Sequence, residues 1–184
     1  FRLLKENTSL ELWAYDIPVC VHTKLSPDLL MRLGRDGIID GVKDSSGDDV
    51  SFRWLCRANE AAGHPLQLLT GHEVVVDGAY MSGADGSVPG LANVDPEGYV
   101  RQWQAYERRD WEAVRTEQDR LADLMRIVQV KGVQGFGAGV GAFKAALYLL
   151  GVFESPEMPR PVAAIEGDNM EHVASVLRSV DLLS

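Results

Sequence analysis

Short apolar segments alternate with amphipathic ones along the first half of the chain. Four apolar runs, each bounded by Gly, Pro, Asp or Ser, lie at residues 10–19, 37–44, 66–71 and 86–94. None shows a clean alternation of apolar and polar positions, and near-continuous runs of this length are typical of parallel strands that are buried on both faces. The pattern therefore predicts four buried parallel strands.

Helical patterns separate these runs. In the first of them, Ser26 is suited to be the N-cap, Pro27 occupies the first helical position and Gly34 lies near the end. Residues 48–63 place apolar side chains on one helix face, and residues 73–85 are predicted to form a third helix despite their β-branched start. This alternation of strands and helices predicts βα units around a parallel sheet.

The pattern changes after residue 95. Residues 95–130 form a long amphipathic stretch that is interrupted near Asp110, and residues 135–152 are a glycine-rich stretch that runs into a helix. A last helical pattern covers residues 167–183. We therefore expect an extension of three or four helices.

The four strands are too few for a complete barrel and are all of the buried type. An eight-stranded (β/α) barrel usually needs about 250 residues, and none of the four runs has the polar character of an edge strand. The pattern therefore predicts an α/β fold that is the C-terminal half of a (β/α)₈ TIM barrel, strands five to eight, over residues 1–100, with a helical region at 101–184. Residues 1–13 read as the tail of a helix that enters a strand, so we expect either a part of a longer polypeptide or a truncated form.

Composition narrows the classes of partner. The formal net charge of −9 and the pI near 4.9 argue against a nucleic-acid or anionic-membrane partner, because both call for basic patches. Cys20 and Cys56 have neither the spacing of a metal site nor that of a disulfide framework, so a reducing, cytoplasmic setting is expected. No segment approaches the roughly 18 consecutive apolar residues of a membrane span. The segment 72–77 offers a histidine and two carboxylates but has no second ligand cluster nearby, so no metal is expected.

Chemically active residues follow the predicted strands. Catalytic residues of a (β/α) barrel lie at the carboxyl ends of strands, which here brings together Tyr15, Lys43, Gly71–Glu73 and the backbone of Val88–Gly90. Burial between apolar strands strips hydration from a lysine and lowers its pKa, so Lys43 would offer a free amine that attacks a carbonyl. Tyr15 would carry the proton that a Schiff base requires. The alternative is that Lys43 is a solvated residue at a strand end.

Four motifs and a late helix carry a resemblance to a known family. They are YDIP at 15–18, GVKDSSGD at 41–48, LLTG at 68–71, GADGSVPGLANVDP at 83–96 and FKAALYLLG at 143–151. In this order they resemble the second half of the dihydrodipicolinate synthase / N-acetylneuraminate lyase family. The resemblance implies a pyruvate-dependent Schiff-base aldolase on a (β/α)₈ barrel, a lyase that takes pyruvate and an aldehyde, needs no cofactor and forms a homo-oligomer, often a tetramer.

The resemblance also assigns roles to single residues. Lys43 matches the Schiff-base lysine, and Tyr15 matches the tyrosine that relays protons. Ser45 matches a substrate-binding position whose hydroxyl faces the substrate in some members. The substrate-binding positions that contact the aldehyde part match Gly71, His72 and Glu73. Val88 matches the position whose carbonyl lies near the lysine.

Departures from the family pattern bear on the substrate. Cys20 stands where the synthases carry an arginine, and Asp16 stands where an asparagine is commoner. The resemblance implies that the segment that holds the pyruvate carboxylate, and the second tyrosine of the relay, belong to the first half of the barrel, which we expect in a longer polypeptide. Because a carboxylate-bearing aldehyde needs a cation at the position of Cys20, we expect a neutral polyol aldehyde, with Glu73 and Ser45 suited to its hydroxyls.

The expected reaction is the reversible aldol cleavage of a 2-keto-3-deoxy acid to pyruvate and an aldehyde. One alternative is a condensation of the dihydrodipicolinate synthase type. A second is a non-catalytic half-barrel paralogue that acts by assembly, since four strands leave two edges that require pairing. A third is a barrel enzyme that uses Lys43 as a plain charge, for example to bind a phosphate.

Overall fold

The chain divides into two units, Phe1–Pro89 and Gly90–Ser184. A computed structural model describes residues 1–184, with the exception of the side chain of Phe136. The first unit consists of α1 (Arg2–Glu6), β1 (Trp13–Asp16), α2 (Pro18–Val21), α3 (Pro27–Arg35), β2 (Gly41–Asp44), α4 (Asp49–Ala61), β3 (Gln67–Thr70), α5 (Val76–Ser82) and β4 (Gly86–Ser87).

The four strands form one parallel sheet in the order β1-β2-β3-β4. Each lies within one of the four apolar runs, so the predicted number, place and direction of the strands are confirmed. Helices separate successive strands along the chain, as the connection of parallel neighbours requires. The carboxyl ends of all four strands therefore meet at one edge of the sheet.

Only one face of this sheet is buried within the chain. Side chains alternate between the faces of a strand, and Ala14, Val42 and Leu68 on one face are each at most 1% exposed. On the opposite face, Tyr15 is 48% exposed and Gln67 is also exposed. The prediction of burial on both faces is therefore wrong for the chain by itself. Apolar residues such as Leu69 occupy the open face too, and this is why the run of sequence looks continuous.

Local signals define the helix ends. The Ser26 hydroxyl accepts a hydrogen bond from the Leu29 N–H at 3.3 Å, and Pro27 is the first residue of α3, which confirms the predicted start. The third predicted helix is shorter than expected, because α5 begins only at Val76. It ends before Gly83, whose φ of 102° lies in the left-handed region that favours glycine.

The second unit is helical. It consists of a 3₁₀ turn (Gly90–Asn93), α6 (Pro96–Glu107), α7 (Trp111–Leu124), a second 3₁₀ turn (Met125–Val128), α8 (Phe136–Leu149) and α9 (Gly167–Ser179). The predicted interruption near Asp110 is confirmed, since the Asp110 side chain caps α7 by accepting from the Ala113 N–H at 3.1 Å. The predicted boundary at residue 100 between barrel half and helical region stays a prediction. Within residues 1–184, no helix combines the length and the apolar character needed to cross a membrane.

Candidate active site

Tyr15 and Lys43 meet at the carboxyl edge of the sheet. They are register partners on β1 and β2, and side chains at paired positions lie on the same face. The Lys43 Nζ lies 3.3 Å from the Tyr15 hydroxyl and 4.4 Å from the centre of its ring. The arrangement places an amine and a phenol within hydrogen-bonding distance of each other.

Three of the predicted substrate-binding residues follow directly on the strands. Their backbone N–H groups continue the ladder of the sheet: Ser45 donates to Asp16 at 2.8 Å, Gly71 to Asp44 at 2.7 Å and Val88 to Thr70 at 2.8 Å. All three thus lie at the same edge as the amine and the phenol.

Gly71 packs closely against two of these neighbours. A Cβ atom at position 71 would overlap the Ser45 hydroxyl oxygen and come within 3.0 Å of the Lys43 Cε. Real Cβ atoms do not approach other atoms so closely, so only glycine fits here without displacement. The structure therefore brings Lys43, Ser45 and Gly71 into one cluster.

The two residues after Gly71 lie in the loop that leads to α5. The His72 N–H donates to the Thr70 hydroxyl at 3.1 Å, and its ring Nδ1 lies 3.1 Å from an oxygen of Asp49 in α4. This contact ties the loop to the first turn of α4. Glu73 follows in the same loop and is half-buried.

A second charged cluster, which the sequence analysis did not predict, lies beside the first. Asp16 and Asp44 are register partners one position beyond Tyr15 and Lys43, and both side chains are buried. The ammonium of Lys24 forms an ion pair with Asp16 and lies 3.4 Å from Asp44. We call these three residues the Asp16–Lys24–Asp44 network.

The network keeps its lysine charged. Burial acts to lower the pKa of Lys24, but the hydrogen bond to Asp16 and the negative charge of Asp44 outweigh it and raise the pKa above its ordinary value. Lys24 therefore carries its proton at neutral pH, and its charge is directed at the two carboxylates.

The alternation of side chains contains a signal for this network. If Tyr15 points to the open face, Asp16 must point to the buried one, and a buried carboxylate requires a partner. The sequence does not show which cation serves, because Lys24 lies in the loop after α2 and outside any periodic pattern.

The position predicted to lack a cation is exposed. Cys20 lies in α2, the single helical turn that follows β1, and its thiol is free. Among the side chains of residues 1–184 that the structure describes, no group of three or more His, Cys, Asp or Glu residues is arranged to hold a metal ion.

Comparison with known proteins gives one consistent family. The model of the dihydrodipicolinate synthetase family matches residues 1–180. An uncharacterized DapA-like lyase of Halobacterium salinarum is 29% identical over 184 residues, which is 100% of this chain and 57% of the relative. A 4-hydroxy-tetrahydrodipicolinate synthase of Kineococcus radiotolerans is 28% identical over 176 residues, or 91% of this chain and 54% of that protein.

Solved structures agree with the sequence relatives. A dihydrodipicolinate synthase of Bacteroides thetaiotaomicron superposes with a TM-score of 0.86 at 26% identity, over 96% of this chain and 58% of that one. One of Thermotoga maritima has a TM-score of 0.87 at 22% identity, over 99% and 60%, and shows the fold alone. The chain thus has the α/β fold of these enzymes and spans somewhat more than half of their length.

Proposed function

Since the chain belongs to the dihydrodipicolinate synthetase family, whose members are lyases and synthases, we propose that it carries the Schiff-base part of a pyruvate-dependent aldolase. The proposed reaction is the reversible cleavage of a 2-keto-3-deoxy acid to pyruvate and an aldehyde. The observation that carries the proposal is the contact of 3.3 Å between the Lys43 amine and the Tyr15 phenol at the strand ends. The parent fold in this proposal is a (β/α)₈ barrel to which the chain contributes strands five to eight.

In the proposed mechanism, Lys43 is the nucleophile. Its amine attacks the keto carbon, and water leaves from the resulting carbinolamine to give an iminium ion. Loss of the proton from the C4 hydroxyl then breaks the C3–C4 bond, releases the aldehyde and leaves the enamine of pyruvate. Protonation at C3 and hydrolysis of the imine return pyruvate and the free amine. Tyr15 moves protons in these steps, because its phenol is the group in contact with the amine.

The residues around Lys43 are assigned substrate-binding roles in this proposal. The Ser45 hydroxyl lies beside Gly71 and the Lys43 side chain, so it is placed to hydrogen-bond a hydroxyl of the bound substrate. His72 and Glu73 are assigned to the aldehyde part, and the Val88 carbonyl to the surroundings of the amine.

The proposed aldehyde carries no carboxylate. Cys20 offers no charge, and the nearest lysine along the chain, Lys24, already serves the carboxylates of Asp16 and Asp44. A substrate carboxylate would be desolvated without a counter-ion from either residue, which is costly. The hydroxyls of a polyol aldehyde need hydrogen bonds instead, which Ser45 and Glu73 offer.

The second candidate is a condensation of the dihydrodipicolinate synthase type. It is favoured by the relative in Kineococcus radiotolerans, which is named a 4-hydroxy-tetrahydrodipicolinate synthase. Both candidates share the Schiff base and differ in the aldehyde, so one set of assays addresses both.

The proposal includes a homo-oligomer, with a tetramer expected from the family resemblance. Val50 and Trp54 of α4 are 70% and 67% exposed and line a groove of about 740 Å³ between α4 and α5. Large apolar side chains exposed together are typical of protein contacts. We assign this groove to a second copy of the chain. Light scattering of the full-length protein is expected to give four times the mass of one chain.

Trapping with pyruvate tests the Schiff base. Incubation of the full-length protein with pyruvate and borohydride is expected to add the reduced pyruvate adduct to the peptide that contains Lys43. Lys43→Arg keeps the charge but removes the nucleophile, so it abolishes trapping. Lys144→Arg is the control, because this lysine donates to the Glu157 carbonyl in the second unit and is expected to leave trapping unchanged. An adduct on Lys24 or Lys144 instead of Lys43 contradicts the assignment.

Assays of the two substrate types test the aldehyde. We expect the full-length protein to cleave a 2-keto-3-deoxy acid faster than it condenses pyruvate with aspartate semialdehyde. Cys20→Arg is expected to raise the condensation by about tenfold, the equivalent of roughly 1.4 kcal/mol, because it adds a cation for the carboxylate. Cys20→Ala, which adds none, is the control. Faster condensation than cleavage by the unmodified protein would favour the second candidate.

A further inference from the structure

The Asp16–Lys24–Asp44 network has no step in the proposed reaction, yet it adjoins the residues that do. Asp16 and Asp44 follow Tyr15 and Lys43 directly on the same two strands and pair with each other in the same register. Because side chains alternate, the two carboxylates point to the buried face while the amine and the phenol point to the open one. The ends of β1 and β2 thus carry two clusters on opposite faces of the sheet.

Lys24 bridges the two strands. Two buried carboxylates on neighbouring strands repel each other, and the separation of the strand ends depends on what neutralises them. Lys24 contacts both, Asp16 directly and Asp44 at 3.4 Å. None of the ion pairs formed by the described side chains includes Lys43, so the charge of the carboxylates is taken up by Lys24.

The remaining oxygens of the network bind the loop between α2 and α3 and the loop after β2. The second oxygen of Asp16 accepts from the Leu25 N–H at 3.2 Å. That of Asp44 accepts from the N–H and the hydroxyl of Ser46 at 2.8 and 2.7 Å. The two carboxylates are buried and all of their partners are hydrogen-bonded to them, and such a network favours one arrangement of the chain around it.

We propose that Lys24 is a positioning residue: its ammonium joins the ends of β1 and β2 through Asp16 and Asp44 and so holds the Lys43 amine against the Tyr15 phenol. The inference rests on the proposed function for its effect on pyruvate, whereas its effect on the Lys43 amine needs no substrate. Lys24 itself does not touch the substrate in this proposal.

Three variants of the full-length protein separate this role from a general structural one. Lys24→Met removes the charge and keeps an unbranched side chain, and Lys24→Arg restores a cation. Lys5→Met is the matched control. The Lys5 side chain is 32% exposed, as is that of Lys24, and it pairs with Asp40 at 3.3 Å at the amino end of β2.

Two measurements follow the Lys43 amine. Reductive methylation with formaldehyde and cyanoborohydride, in the absence of substrate, reports the reactivity of the amine at the peptide containing Lys43. Pyruvate trapping reports the same amine in the proposed reaction. Lys24→Met is expected to change the methylation rate several-fold and to slow trapping by about tenfold or more, since small displacements of a reacting group have effects of this size. Lys24→Arg returns both rates towards those of the unmodified protein, and Lys5→Met leaves them unchanged.

The outcomes distinguish the two proposals. Equal methylation of Lys43 in the unmodified protein and in Lys24→Met overturns the role of Lys24, and so does an equal effect of Lys5→Met. A protein that is methylated as expected but never trapped by pyruvate refutes the proposed function and supports the role of Lys24. If Lys24→Met does not fold, Asp16→Asn replaces it, because this isosteric change leaves Lys24 with one carboxylate. Asp16→Asn is expected to shift the methylation and trapping rates of Lys43 in the same direction as Lys24→Met, but by a smaller factor.

Discussion

Gly71 shows how little space surrounds the candidate nucleophile. Gly71→Ala forces the added methyl group against the Ser45 hydroxyl and the Lys43 side chain. We expect this variant to lower the free energy of unfolding by about 1–3 kcal/mol, as overpacking does, and to slow pyruvate trapping because Lys43 is displaced. Denaturant unfolding and the trapping rate are the measurements.

Gly78→Ala is the control for that change. Gly78 lies inside α5, and apart from its chain neighbours and the backbone of its own helix no described atom lies within 4 Å of the Cβ that alanine would add. The substitution is therefore expected to raise the free energy of unfolding by up to about 1 kcal/mol through a better helix propensity. A Gly71→Ala protein as stable and as active as Gly78→Ala would contradict this prediction, because it would show that the strand ends accommodate the added methyl group without loss of stability.

The candidate site was predictable from the sequence to the extent that it follows from the strands. Tyr15 and Lys43 lie near the carboxyl ends of two successive predicted strands, and that position predicts their proximity. The part played by Asp16 was not predictable, since its partner Lys24 lies in a loop whose path no periodicity describes. The hydrogen bond between His72 and Asp49 was missed for the same reason, because it joins a loop to a helix.

Among the helices, α6 depends on a capping residue with a second task. The Asp95 side chain accepts from the Gly98 N–H at 3.0 Å and also forms an ion pair with Arg120 of α7. Asp95→Ala is expected to lower the free energy of unfolding by about 2 kcal/mol, because it removes the cap and one of the two carboxylate partners of the Arg120 guanidinium, which keeps its contact with Glu117. Chemical denaturation followed by circular dichroism measures the loss.

The matched control is Asp110→Ala. Asp110 caps α7 in the same way but is exposed, so its loss is expected to cost about 1 kcal/mol, the value of the cap alone. Equal losses in the two variants would mean that the ion pair with Arg120 adds nothing to the cap.

The elements were predictable where their ends carry local signals. Ser26 and Pro27 specify the start of α3, and the break before Asp110 separates α6 from α7. The predicted helix at 73–85 was too long, since residues 73–75 belong to the loop that leaves β3. No residue type in that loop marks its end, and the β-branched residues there suit either state.

At the scale of the whole molecule, the open face of the sheet is the main difference from the sequence prediction. Parallel strands that are buried on both faces carry apolar residues on both, and the open face here includes the apolar residues Trp13 and Leu69. The chain alone leaves that second face open, with Tyr15 half-exposed. The hydrophobic pattern of these strands therefore predicts burial on both faces, whereas the residues of this chain bury only one.

The buried charges of the network also couple the residues at positions 16 and 24. An aspartate at position 16 without a cation at position 24 leaves an unpaired carboxylate in an interior where Asp16 is 0% exposed. A lysine at position 24, in contrast, already finds Asp44 as a partner when position 16 is an asparagine. We therefore expect positions 16 and 24 to be energetically coupled, so that Lys24→Met lowers the free energy of unfolding more when residue 16 is Asp than when it is Asn.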